Sequence, residues 1–346
     1  MKNLRHLSLD ELGQLGEKPF RAKQIHEWIW QKHVSSIDGM SNLPLALRNR
    51  LKEEYDLFRL EIDHTQHSND GTIKNRFVLH DGHFVEGVLI PTETRMTACV
   101  SSQVGCSLSC KFCATGYMDR VRNLEFDEIV DQVVHLNRQA EEHYGKRLSN
   151  IVFMGMGEPL LNYGNVLKSI ERITAPDGLG MSPSRITVST AGIAKMIRKL
   201  ADDEVRFNLA LSLHAANDAK RNEIMPINES NNLKVLIEAM DYFYRKTRNP
   251  ITFEYILFAN FNDSVEDADE LVRICRRIPS KVNIIEYNPI GLAAFERPDE
   301  DRIDAFMKYL EHNRVNARLR RSRGKDIDAA CGQLANIDHP AKAPSN

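Results

Sequence analysis

The chain has 346 residues, 42% hydrophobic and 27% charged, with a net charge of −2. That length holds one large domain and a smaller one, and the composition excludes disordered, collagen-like and disulfide-stapled chains. The first residues lack an apolar signal region and no run of 18 apolar residues occurs, so a cytoplasmic protein with no membrane partner is expected.

Ser8 followed by Glu11 reads as a capping box opening a helix. Residues 22–32 are amphipathic, with Ile25, Trp28 and Ile29 on one side. A further helix is predicted from Pro44, with Leu47 and Leu51 facing inward and Ser41 or Asn42 near its cap. The period then changes to two. Residues 75–79 and 84–90 flank Asp81-Gly82, a hairpin signal. A helical accessory domain over 1–60 and a β-ribbon extension over 61–95 are therefore expected.

Short apolar strands alternate with helical stretches after that point. Strands are predicted at 97–101, 151–154, 186–189, 207–213, 253–257 and 282–287, with helices between them such as 126–136, and a last strand at 315–319. Six βα repeats imply a parallel sheet, doubly wound or curved into a barrel. This α/β domain is expected to span 96–335, followed by a flexible tail at 336–346.

Six cysteines in such a chain point to reduced thiols binding metal or doing chemistry. Cys106, Cys110 and Cys113 have C-x3-C-x2-C spacing in one loop after the first βα strand. Two readings follow. A structural zinc site closes with four protein ligands, so Cys99 or a histidine would complete it in a non-catalytic RNA-binding module. A [4Fe-4S] cluster on three cysteines keeps one iron open. Polar residues gather at the ends of the later strands: Gly155 to Leu160, Ser189 to Gly192, Ser212-Leu213-His214 and Asn288-Pro289. Singly, such glycines turn the chain, hydroxyls cap helices and a lone histidine is core. Together, at equivalent positions facing the cysteine loop, they make a shared site the better explanation. Cys275 shares an apolar helical stripe with Ala268, Leu271 and Val272 and reads as a core thiol. Residues 314–325 carry Arg314, Arg318, Arg320, Arg321, Arg323 and Lys325 with no acid, just before Cys331. This run is either a solvated face or a phosphate grip, which Arg21, Lys23, Lys32, Arg48, Arg50 and Lys52 would extend.

The cysteine loop after the first barrel strand resembles the radical S-adenosylmethionine (SAM) enzymes. Cys99 to Cys106, Lys111 to Gly116, Gly155 to Leu160 and Asp326 to Leu334 resemble, more narrowly, the RlmN/Cfr group of RNA adenosine methyltransferases, and residues 20–25 match that group's accessory domain. The likeness runs from about residue 8 to 335 and is closest to the RlmN branch. It implies a partial (βα)6 barrel holding a [4Fe-4S] cluster on Cys106, Cys110 and Cys113, and two SAM molecules per turnover. Gly157, Glu158, Ser189, Ser212, Leu213, His214 and Asn288 match SAM-contacting positions. Cys331 matches the methyl-carrying cysteine, Cys99 the cysteine that resolves a protein–RNA adduct, and Glu86 the proton acceptor. By spacing alone, Glu86 would be a solvent-facing strand residue. The implied reaction methylates adenine C2 in 23S rRNA and in the tRNA anticodon loop, with the Cfr-type C8 reaction as the alternative. The implied state is a monomer served by an external flavodoxin-type electron donor.

Overall fold

The computed structural model describes residues 1–15 and 18–336. Three helices, α1 (Leu9–Leu15), α2 (Pro19–Trp30) and α3 (Leu45–Glu54), come first. The capping box of α1 forms: Ser8 N donates to Glu11 Oε2 at 2.7 Å and Glu11 N to Ser8 Oγ at 3.2 Å. Helix α2 buries Ala22, Ile25, Ile29 and Trp30, whereas Trp28 is only partly buried and donates its indole N–H to Asn42 Oδ1. That bond, with Arg21 Nη1 donating to the Asn42 carbonyl, takes Asn42 away from the cap expected of it. Pro44 itself precedes α3, and no side chain caps that helix.

The main sheet has ten strands in chain order. They are β1 (Glu61–His67), β2 (Ile73–Val78), β3 (Phe84–Pro91), β4 (Met96–Cys99), β5 (Asn150–Phe153), β6 (Ile186–Thr190), β7 (Asn208–Ser212), β8 (Ile251–Leu257), β9 (Ser280–Glu286) and β10 (Ala317–Arg320). Strands β4 to β10 are parallel. Strands β1 to β4 pair antiparallel, so the expected ribbon is a three-stranded extension continuous with the sheet. Between the parallel strands run α4 (Phe126–Tyr144), α5 (Tyr163–Thr174), α6 (Ala194–Asp202), α7 (Asp218–Ile224), α8 (Leu233–Thr247), α9 (Val265–Cys275) and α10 (Glu300–His312). No helix among the described residues is long and apolar enough to cross a membrane.

The parallel strands alternate for most of their length. Ala98, Ile151, Ile186, Val188, Leu209, Leu211, Phe253, Val282 and Ile284 are buried in the main core. The residues between them, including Thr97, Asn150, Thr187, Thr252, Glu254, Asn283, Arg318 and Arg320, line one continuous cavity. Residues from β4 and β10, far apart in the sheet order, share that wall. The sheet is therefore curved around a polar lumen, with its apolar face turned to the helices. After β10 the chain returns across the sheet to the first hairpin. Arg323 Nη1 donates to the carbonyls of Asp70 (3.0 Å) and Pro91 (2.9 Å), and Gly324 N donates to Asp70 Oδ2. Apart from Asn336, the tail expected at 336–346 lies outside the described residues.

Candidate active site

A cavity of about 150 Å³ lies over the carboxyl ends of the parallel strands, beside a lumen of about 480 Å³. Cys106, Cys110 and Cys113 follow β4 and all line the smaller cavity. The loop folds tightly because Gly116 lies against Cys110: a Cβ at Gly116 would stand 2.6 Å from the Cys110 carbonyl oxygen. Burial pushes all three thiols up, Cys106 to about 12, and mutual repulsion of the sulfurs adds to it at Cys106 and Cys110. Such thiols become thiolates only beside a compensating cationic centre. Among the described residues, no three His, Cys, Asp or Glu side chains converge closely enough for a single metal ion. Three soft sulfurs set apart around one cavity fit an iron–sulfur cluster, which has its own bulk, better than a four-ligand zinc ion.

The opposite wall comes from later strand ends. Gly157 adopts φ +91°, and a Cβ there would meet the Gln103 side chain at 2.4 Å, so this turn requires glycine. Glu158 is buried; its two oxygens accept from Ala191 N (2.8 Å) and Leu160 N (3.0 Å). Burial raises its carboxyl pKa and those N–H groups oppose the rise. The carboxylate thus braces the β5 and β6 loops, and its remaining lone pairs are left for an ammonium. Ser189 and Ser212 sit with their hydroxyls 3.4 Å apart on the same wall. His214 Nδ1 accepts from Ile256 N at 3.1 Å, and its ring packs edge-on against Phe112, inside the cysteine motif. Burial, with the Arg221 charge nearby, lowers its pKa to about 3, so the imidazole is neutral with its proton on Nε2. Leu213 and Asn288 do not line either cavity. Leu213 is buried, and Asn288 Nδ2 donates to Ser322 Oγ (2.9 Å) and to the Cys331 carbonyl (3.3 Å).

Cys331 lines both cavities, whereas Cys99 lines only the lumen. The Cys331 loop is bound to the cysteine loop by Ala114 N donating to the Gly332 carbonyl (2.7 Å) and Thr115 Oγ1 to that of Leu334 (2.6 Å). Burial pushes the Cys99 thiol up to about 12; the nearby Cys331 adds to the rise and Arg320 opposes it.

Two family models match the chain: the ribosomal RNA large subunit methyltransferase N-terminal domain over residues 2–57, and the radical SAM superfamily over 100–273. The "Probable dual-specificity RNA methyltransferase RlmN" of Cytophaga hutchinsonii is 56% identical, over 96% of this chain and 93% of that protein. The dual-specificity RNA methyltransferase RlmN of Anaeromyxobacter sp. (strain Fw109-5) is 46% identical, over 96% and 90%. The chain belongs to the RlmN family. A radical SAM methyltransferase from Sphaerobacter thermophilus superposes with a TM-score of 0.90 at 40% identity, covering 96% of this chain and 99% of that one. RlmN proteins are radical SAM RNA methyltransferases, and the radical SAM family uses a [4Fe-4S] cluster and SAM.

Within this RlmN-family fold, three expectations change. Glu86 is not solvent-facing: it is 1% exposed, with Oε2 accepting from Ala335 N at 2.8 Å and the buried Lys74 Nζ 3.6 Å from Oε1. It lies against the chain just after Cys331 and lines neither cavity. The basic run is exposed except for Arg320, which is partly buried, but three of its members are tied to the protein. Arg321 and Lys325 bind the buried Glu286 (3.2 and 2.9 Å), Arg323 binds the hairpin, and Arg320 faces the lumen. Cys275 is only partly buried, packed against the core, with its thiol raised to about 11 by burial. Sequence reading missed Glu254 and did not separate Arg320, which lines both cavities, from the rest of the basic run. The polar residue every second position in β8 and β10 was the available signal.

Proposed function

We propose that the chain methylates C2 of an adenosine in 23S rRNA and in the tRNA anticodon loop. The observation that carries this reading is the position of Cys331, which together with Cys113 of the cysteine loop lines both the cluster-side cavity and the lumen that also holds Cys99. Cys106, Cys110 and Cys113 would hold the cluster; Gly157, Glu158, Ser189, Ser212 and His214 would border SAM. When bound, the cluster and SAM supply a radical strong enough to take hydrogen from a methyl group. In this reading Cys331, as thiolate, first accepts a methyl by displacement at the SAM sulfonium, the reaction of a soft nucleophile. Its S-methyl carbon then bonds to the base, because the ring carbon is too electron-poor to attack SAM itself. Cys99 releases the resulting adduct. Glu86 Oε1 makes no hydrogen bond and has Lys74 Nζ at 3.6 Å, which leaves it able to accept a proton, although the other oxygen anchors the chain near Cys331.

Cys331→Ala is expected to abolish RNA methylation in iron-reconstituted protein while the iron and sulfide content stays unchanged. Retained turnover would refute the route. Mass spectrometry of nucleosides from 23S rRNA and tRNA, with and without the gene, reads the carbon and the RNA class. 8-Methyladenosine in place of 2-methyladenosine would reassign the chain to the Cfr-type reaction.

A further inference from the structure

The junction of the two cavities contains a cation whose donors have no strong acceptor. Arg320 lines both cavities, and its side chain is 34% exposed although β10 faces the lumen here. It lies 3.7 Å from Glu254 Oε2 and 4.0 Å from Met154 Sδ, neither a hydrogen bond of ordinary length, and Cys331 is the neighbour that does most to hold it charged. Glu254 stands behind it, 6% exposed at the side chain, with Oε1 accepting from Asn283 Nδ2 at 2.8 Å and Oε2 without a hydrogen bond. The carboxylate therefore balances the guanidinium and fixes its place without using its N–H groups. The lumen wall beside it carries Thr97, Asn150, Thr187 and Thr252, and Arg95, Arg318, Arg321 and Arg323 line the same lumen. Arg321 and Arg323 are bonded elsewhere.

A partly exposed guanidinium whose donors make no ordinary hydrogen bond within the protein is free to donate to a bound partner. The lumen volume of about 480 Å³ is in the usual range of small-ligand sites. A base turned out of an RNA stack enters such a pocket and is read by hydrogen bonds at its edge. Purine ring nitrogens are neutral acceptors in the base plane, matched to the planar fork of arginine. Of the arginines in the lumen, Arg320 alone also lines the cluster-side cavity with Cys331, so it stands at the end where the base and not its phosphate has to react.

We propose that Arg320 seats the target nucleobase in the lumen between Cys331 and Cys99, donating a hydrogen bond to a ring nitrogen of the purine. Glu254 is its positioning residue. This assignment rests on the RNA-methylating reading above.

The test uses RNA stem-loops in which the target adenosine is replaced by 1-deaza-, 3-deaza- or 7-deazaadenosine, each lacking one ring acceptor. Single-turnover methylation is measured with reconstituted wild-type, Arg320→Lys and Arg320→Met proteins. For one analogue, the wild type is expected to slow about 10-fold more than Arg320→Met, because the variant has already lost that bond. Arg320→Lys should fall between them. Comparing the slowing factors cancels the intrinsic effect of the ring change on reactivity. If Arg320→Met does not hold iron, Arg320→Lys still carries the comparison, with a smaller excess expected. Equal slowing of wild type and variants by every analogue would overturn the assignment and leave the guanidinium to water. Failure of the wild type to methylate the unmodified stem-loop would instead remove the methylation reading, and this assignment with it.

Discussion

Cys99 and His214 show how burial, more than any neighbouring charge, sets the chemistry of single residues at this site. With its thiol pushed up to about 12, Cys99 is a thiolate to about one part in ten thousand at pH 8. Iodoacetamide at pH 8 should therefore spare Cys99 relative to Cys331, as read by peptide mass spectrometry of metal-free protein. Equal labelling would mean that the lumen opens to solvent. His214 works in the opposite sense. Its folded pKa of about 3 lies below the usual 6.5, so between those values the unfolded chain binds a proton that the folded chain rejects. Stability from this group is then intact above pH 6.5 and falls as pH drops towards 3. His214→Asn should flatten the acid limb of a plot of melting temperature against pH over that window, and an unchanged slope would contradict the assignment. The position also needs tolerance of φ +54°, which asparagine has.

At the scale of elements, the segment after β10 is a strap that ties the last strand to the first ones. Its anchors are side chains that looked like surface charges in the sequence: Arg323 on the hairpin carbonyls, Arg321 and Lys325 on Glu286, and Glu86 receiving Ala335 N. Glu86 also faces Lys74, itself 3% exposed. Glu86→Ala leaves that ammonium buried and unpaired, so a loss of about 3–5 kcal/mol is expected in urea unfolding. Glu86→Ala,Lys74→Met should recover much of it, because both charges are then gone. A single variant as stable as wild type would show that water reaches this pair. The run of arginines was legible as charge, but its direction was not. Arg320 and Arg321 both line the lumen, and Arg321, just beyond the end of β10, also reaches Glu286.

Over the whole molecule, the N-terminal segment docks on α4 through buried ions. Arg5, 2% exposed, donates to both oxygens of Asp131 (2.7 and 2.8 Å), and Arg59 adds a third bond at 2.7 Å. Asp127 takes His6 (3.0 Å) and Asn3 (2.7 Å). Arg5→Ala strands Asp131 with only Arg59 as its cation, and a destabilisation of about 3–5 kcal/mol is expected. Limited proteolysis should then release the N-terminal helices before the barrel. Simultaneous loss of both in one transition would show that the module has no separate docking equilibrium.

What the sequence by itself determined is local. The capping box of α1, the hairpin after Asp81-Gly82, the βα rhythm and the three-cysteine loop are all set by residues a few positions apart, whose spacing matches a single turn, pleat or loop. The polar alternation of the parallel strands was also present there, but an apolar reading of those strands hid it. Tertiary structure decided the rest. Curvature of the sheet sets Cys99 of β4 and Arg320 of β10 on one wall, and the returning strap lays Cys331 between two cavities and covers Glu86. These neighbours are separated by more than two hundred residues, and only the register and closure of the sheet bring them together.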